Sequence, residues 1–382
     1  MIYFDNAATS FPKPDSVLKA MYQASLCCAN PGRGGHRLSI KSGETVFEAR
    51  KEIAGLFGAD EERVIFTKNC TESLNTAIKG CLKKGDHVII SSLEHNSLLR
   101  PVQKLAEQNM ITYDIAGVVP EDDSRTLLNF RSLIKPQTKL IACCHVSNVF
   151  GTVLPIEEIG ELCRQNKLLF AVDAAQSAGI FEYSLNESNI DFLCMPGHKG
   201  LLGPMGTGIL LINKKSKLDE LTEGGTGSLS LERSQPSVLP DRFESGTLNL
   251  PGIAGLGEGV RMIKRIGVKN IHEKESEYTK LLVSELKNMK GVTVYDTMYS
   301  KTPSAVVSFN VGSLHSEQVG EALDRMMIAV RAGYHCSALA HESAGTTETG
   351  TVRVSPGIFN NRQEIKKFIF CTNKIALGRK VC

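Results

Sequence analysis

The sequence predicts a doubly wound α/β protein with a mostly parallel sheet and a second, smaller α/β unit. Three observations carry this expectation. Short, continuous apolar runs alternate with amphipathic stretches between about residues 64 and 212, as strands buried on both faces require. The pattern changes after about residue 255. The chain has 382 residues, more than one domain ordinarily holds at roughly 100–200 residues each.

Val46, Ala49, Ile53 and Leu56 recur at helical spacing and mark an early helix. Residues 64–66, 88–90, 140–144, 168–172, 192–195 and 209–212 read as short buried strands. Residues 101–108 and 156–165 read as the helices between them. This strand–helix order implies a sheet that binds ligands beyond the carboxyl ends of its strands. The stretch 224–250 is rich in Gly, Ser and Pro and lacks periodicity; a loop that long is functional or disordered. Helices follow at 255–266 and 275–289, then strands at 305–311, 327–330 and 352–354, with a helix at 316–325.

Composition narrows the class. Apolar residues make up 42% and charged residues 22%, the balance of a globular protein. With 44 basic and 41 acidic residues the net charge is +3, so neither nucleic acid nor membrane is an expected partner. Residues 1–10 hold no basic cluster followed by an apolar core, so no signal peptide is expected and a cytoplasmic location is. No apolar run approaches the roughly 20 residues of a membrane helix. The eleven cysteines include no Cys-x-x-Cys pair, so no metal site is expected. Most lie in apolar runs and read as small buried hydrophobes.

Chemistry concentrates at strand ends. Lys199 follows a strand within Met195-Pro196-Gly197-His198-Lys199-Gly200. Asp173 and Gln176 follow another, and His95 a third. Thr71 opens a helix after the strand at 64–66. Each has an ordinary reading. Lysine after His-Gly is usually solvated, Asp173 can cap the next helix, Thr71 can be a plain N-cap, and a strand-end histidine is often incidental. Their order at one sheet edge favours a joint reading. A helix start holds phosphate, a histidine stacks on a flat ring, an acid pairs with a pyridinium nitrogen, and a lysine makes a Schiff base. That is the recognition logic for pyridoxal 5′-phosphate (PLP). Downstream, Cys336 follows Arg331, Gly333 and His335. Those cations would favour the thiolate, and the glycine suits a mobile loop.

Taken together, these residues resemble the cysteine desulfurases of the class V aminotransferase-like enzymes, over nearly the whole chain. The motifs are Tyr3-Phe4-Asp5-Asn6-Ala7-Ala8-Thr9, Gly32-Arg33-Gly34-Gly35-His36, Thr71-Glu72, Glu94-His95, His145-Val146-Ser147-Asn148, Asp173-Ala174-Ala175-Gln176, Gly197-His198-Lys199, Phe243-Glu244-Ser245-Gly246-Thr247, Arg331-Ala332-Gly333-Tyr334-His335-Cys336 and Thr351-Val352-Arg353. The Arg-x-Gly-x-His-Cys loop is similar to that of the second-group branch, which holds SufS and selenocysteine lyase-like enzymes. The resemblance implies PLP fold type I. A large doubly wound, mostly parallel seven-stranded domain would span 14–254. A small α/β domain of 1–13 and 255–382 would carry the cysteine loop.

The resemblance also implies roles. Lys199 would bind PLP and move the substrate's α-proton. Asp173 would pair with the ring nitrogen, Gln176 with the phenolate oxygen, and His95 would stack on the ring and join the catalysis. Thr71 and His198 would hold phosphate, next to Cys70. Thr247 would reach the phosphate of a neighbouring subunit, implying a homodimer. Asn148 and Arg353 would grip the substrate carboxylate, with Arg331 and His36 nearby. Cys336 would take sulfur from L-cysteine as a persulfide, release L-alanine and pass the sulfur to an acceptor protein. The alternatives are a selenocysteine lyase acting on L-selenocysteine, and a PLP-binding sulfur relay without turnover. Three positions depart from the family pattern. Pro196 replaces a hydroxyl residue and Cys70 a threonine, each removing a phosphate donor. Tyr334 replaces a histidine, which bears on substrate preference.

Overall fold

A computed structural model describes residues 1–31, 34–295 and 303–378. The Gly32-Arg33 part of the glycine-rich motif lies outside the described residues. The strands, in chain order, are β1 (Ile2–Tyr3), β2 (Val64–Thr67), β3 (His87–Ser91), β4 (Thr112–Ala116), β5 (Thr138–Cys144), β6 (Leu169–Asp173), β7 (Phe192–Pro196), β8 (Gly208–Ile212), β9 (Val292–Tyr295), β10 (Val307–Val311), β11 (Ile328–Ala329), β12 (Arg331–Gly333) and β13 (Thr351–Val354).

The apolar runs form strands because each buries both of its faces. Ile89, Ile141, Cys143, Val172 and Leu193 enter one core. Their alternating neighbours Val88, Ile90, Leu140, Ala142 and Ala171 enter the other. That is the period-two consequence of a pleated strand between two helical layers. The sheet has seven strands in the order β2-β8-β7-β6-β5-β3-β4. The neighbours from β4 through β7 pair in parallel. β8 runs antiparallel to both β7 and β2. β2 therefore points the same way as the parallel strands, and their carboxyl ends share one edge. The expected mostly parallel seven-stranded sheet is present. Its edge strand β4 was missed by the sequence reading because its residues are largely exposed and show no apolar run.

A third core gathers Phe4, Leu282, Phe309, Val352 and Phe368 around the antiparallel sheet β12-β13-β10-β9 and the β1–β11 pair. The helices expected at 156–165 and 316–325 appear at Ile156–Gln165 and Ser316–Arg325. The helix expected from 101 begins earlier, as Asn96–Glu107 with Pro101 inside. The helix expected from 255 begins at Leu250, where the Asn249 side chain caps it by accepting from Gly252 N at 3.1 Å. This helix packs its Ile253, Leu256, Val260 and Ile263 into the first core. A Cβ on its Gly259 would lie 2.4 Å from the Leu201 carbonyl oxygen, so glycine there lets the helix press on the loop after β7. We propose that the division between the two units falls near Gly267, after this helix, rather than at 254.

A buried ion pair ties the 224–250 stretch to the large unit. Glu244 accepts from both Arg50 guanidinium nitrogens at 3.0 and 2.8 Å and from Phe66 N at 2.7 Å. Truncating one partner strands the other's charge in the core. Glu244→Ala is therefore expected to lower unfolding free energy by about 3–5 kcal/mol. A denaturant midpoint equal to the parent's would refute this.

Candidate active site

At the shared edge of carboxyl ends lies a cavity of about 260 Å³. Eleven of the thirteen expected site residues line it: Cys70, Thr71, His95, Asn148, Asp173, Gln176, His198, Lys199, Arg331, Cys336 and Arg353. His36 and Thr247 do not. His36 is exposed and caps helix Arg37–Phe57, where its side chain accepts from Ser39 N at 3.3 Å. Thr247 lines a separate cavity with Thr67, Lys68 and Glu72.

Asp173 ends β6 and is 3% exposed. Its Oδ1 accepts from Ala175 N at 2.9 Å and from the Cys70 thiol at 3.5 Å. Burial raises its carboxyl above the usual range, against the pull of these donors and of Lys199. Cys70 thus donates to Asp173, and burial pushes its thiol well up. Lys199 sits on the turn after β7. Burial lowers its amine below the ordinary range, although Asp173 acts the other way. The lowered value favours the neutral amine, the nucleophilic form that a carbonyl requires.

Thr71 lies in the first turn of helix Cys70–Cys81 but does not cap it. The Asn69 side chain does, accepting from Glu72 N at 2.9 Å. The Thr71 side chain makes no hydrogen bond among the described residues, which leaves its hydroxyl available at a helix N-terminus. His198 Nδ1 is buried without a partner among the described residues, and burial lowers this imidazole to about 4. His95 caps helix Asn96–Glu107, its Nδ1 accepting from Ser97 N at 3.0 Å. The neutral ring therefore carries its hydrogen on Nε2, and burial holds its pKa at about 4. Pro196, the last residue of β7, lines the cavity without a side-chain donor.

Gln176 is partly committed, since one amide N–H goes to the Ala7 carbonyl at 3.0 Å. Asn148 has a second task besides lining the cavity. Its amide donates to His335 O at 2.8 Å and accepts from Ser337 Oγ at 2.7 Å, so it braces both flanks of Cys336. Asn96 N also donates to Cys336 O at 2.8 Å. The loop suggested by Gly333 is thus short and pinned rather than free. Its two central residues, His335 and Cys336, have φ of 49° and 59°, a left-handed conformation that costs non-glycine residues energy. Cys336 is exposed on the cavity wall. His335 is not the cation the sequence suggested. Burial pushes it down to about 2, and its Nε2 pairs with Thr351. Arg331 is, with Arg353, a cation on the cavity wall, and its side chain makes no hydrogen bond or ion pair among the described residues.

Arg353 is 2% exposed. Its Nη1 donates to Asn148 O at 2.9 Å and its Nη2 to Asp5 Oδ1 at 2.8 Å, while Nε is unpartnered among the described residues. Asp5 is a site residue that sequence reasoning missed, because it lies 348 positions from its partner. Glu94 was missed as well. It is fully buried and accepts from Ser91 Oγ and from Cys144 N at 3.0 Å, which ties the turn bearing His95 to β5. Burial raises its carboxyl to about 8.

Comparison with known proteins agrees with this geometry. Residues 2–368 match the aminotransferase class-V family. A probable cysteine desulfurase of Pyrococcus abyssi is 37% identical over 97% of this chain and 92% of its own. One of Methanothermobacter thermautotrophicus is 33% identical over 96% and 92%. The apo structure of a cysteine desulfurase from Thermococcus onnurineus NA1 superposes with a TM-score of 0.91 at 36% identity, covering 99% of this chain and 95% of that one. This chain belongs to the aminotransferase class-V family, on the branch occupied by proteins named cysteine desulfurases.

Proposed function

We propose that the protein is a PLP-dependent cysteine desulfurase that converts L-cysteine to L-alanine and keeps the sulfur on Cys336. The observation that carries this reading is that the exposed thiol of Cys336 and the amine of Lys199 line one cavity. An aminotransferase needs the amine but has no use for the thiol.

The residues present fit the cofactor. Asp173 offers a buried carboxyl group for the ring nitrogen, Lys199 an amine whose neutral form burial favours for the aldehyde, and Thr71 with His198 uncommitted polar groups for the phosphate. Bound there, the cofactor withdraws electrons from the substrate's α-carbon. Lys199 takes the α-proton and returns it. Arg353 and Arg331 receive the substrate carboxylate, Arg353 through the hydrogens that Asp5 and Asn148 leave free. The Cys336 thiolate attacks the substrate's sulfur. A sulfur–sulfur bond forms, the bond from sulfur to Cβ breaks, and the carbon side keeps the electron pair and gains a proton to become alanine. Cys336 is left as a persulfide for an acceptor thiol. The comparisons name desulfurases and give no support to a selenocysteine lyase or a relay without turnover.

Mass spectrometry of the protein after exposure to L-cysteine is expected to find one added sulfur on the Cys336 peptide. An added sulfur elsewhere, or none, would refute the assignment.

We further propose a homodimer with shared sites. Thr247 stands apart from the cavity of its own chain, as a residue serving a neighbour would. Leu18, Tyr22 and Leu26 are 50%, 63% and 61% exposed on one face of helix Asp15–Cys27. Such an apolar stripe calls for cover. Sedimentation should give about twice the chain mass of 41.6 kDa; a monomer at working concentration would contradict the dimer.

A further inference from the structure

The carbonyl oxygen of His198, one peptide before the Lys199 Cα, is surrounded by donors from the N-terminal segment. It accepts from Thr9 Oγ1 at 3.0 Å, Ser10 N at 3.0 Å, Ser10 Oγ at 3.2 Å and Lys13 Nζ at 2.7 Å. A carbonyl oxygen has two lone pairs, so four donors saturate it. Lys13 also donates to Ser10 Oγ at 2.7 Å, which locks the donors to one another.

Lys13 has no carboxylate partner among the described residues. Burial lowers its amine to about 8. A cation held out of water without a counter-charge costs stability. The sign is consistent. A lysine with a depressed folded pKa penalises the fold increasingly as pH falls from its unfolded value of about 10.4 toward 8. A cation kept at that cost needs a compensating task, and its neighbour is the peptide that carries Lys199.

The surroundings restrict that peptide further. A Cβ on Gly197 would lie 2.2 Å from Thr207 Oγ1, and one on Gly200 2.3 Å from the Ala178 carbonyl oxygen. Turning the His198–Lys199 peptide would break up to four hydrogen bonds in a loop without free space. The same N-terminal segment holds Arg353 through Asp5. One stretch of chain thus reaches both the carboxylate-binding arginine and the lysine.

We propose that Lys13 is a positioning residue for Lys199, acting through the His198 carbonyl. The proposal rests on the desulfurase reading for its rate measurements but not for its spectroscopic one. Displacing a reacting group by about 1 Å can cost up to 100-fold in rate. Lys13→Met in the full chain is expected to lower kcat for alanine release about tenfold. KM for L-cysteine should change less than about twofold, since Lys13 does not line the cavity. The variant loaded with PLP should also show a displaced midpoint in the pH titration of its cofactor absorbance, because that absorbance would report the proton on the Lys199 nitrogen joined to the cofactor. Lys13→Arg, which keeps a cationic donor, should recover most of both effects. A Lys13→Met protein with the parental kcat and titration overturns the proposal. So does a loss in which kcat, KM and the unfolding midpoint fall together and arginine recovers nothing. If the parent protein itself releases no alanine, the desulfurase reading fails, while the absorbance titration still decides the role of Lys13.

Discussion

Replacing Cys336 by alanine is expected to abolish alanine release from L-cysteine while leaving the cofactor absorbance in place. Loss of a covalent nucleophile costs on the order of 10³–10⁶-fold in turnover. The geometry separates the two readouts. The Cys336 side chain is exposed at the rim and takes no part in the core, so its removal leaves no buried void. Asp173, His198 and Lys199, which would hold the cofactor, are anchored on strand ends remote in sequence from the cysteine. The flanking bonds of the loop, from Asn148 to His335 and Ser337 and from Asn96 to the Cys336 carbonyl, use backbone or neighbouring side chains. Alanine therefore keeps the loop in shape and removes only the sulfur. The added sulfur seen by mass spectrometry should vanish with it. L-selenocysteine should suffer less, because its carbon–selenium bond breaks more readily and depends less on the thiol. Turnover of L-cysteine at the parental rate would sink the assignment of Cys336.

The legible parts of the fold and site were those written locally. β5, β6 and β7 announce themselves as continuous apolar runs, and Asp173 and Lys199 sit where those runs stop. Local writing also misled. Arg331 and His335 stand close to Cys336 in sequence and read alike as cations, yet burial disfavours the charged form of His335. Asn148 lines the cavity as its motif implied, and it also braces the cysteine loop, which the motif did not reveal. Gly333 suggested freedom, and the bonds that remove it come from residues 96 and 148. What was illegible is the closure of the chain on itself. Asp5 meets Arg353, Lys13 meets His198, and Glu244 meets Arg50 across 348, 185 and 194 positions. No periodicity or spacing encodes such pairs, because each depends on how the sheet and its helices bring distant turns together. β4 was lost for the opposite reason: an exposed edge strand needs no apolar run.

The companion result concerns Lys199. Lys199→Ala is expected to lower alanine release by a factor on the order of 10³ or more, since tether and proton carrier disappear together. The two losses can be told apart. Burial lowers the Lys199 amine below its ordinary range, so as the proposed base it would be neutral at lower pH than an ordinary lysine. Alanine at 199 leaves Asp173, His95, Thr71 and His198 in place, so PLP should still enter, though less tightly and without the covalent link. Methylamine added to this variant can occupy the space of the missing side chain and carry the proton. Alanine release should then return in part and rise with amine concentration. The sign of the pH dependence follows from which form works. Only neutral amine accepts a proton, and free methylamine lacks the burial that depresses Lys199, so the rescued rate should climb at higher pH than the parental rate does. A variant that keeps alanine release within about tenfold of the parent without added amine would show that another base moves the proton.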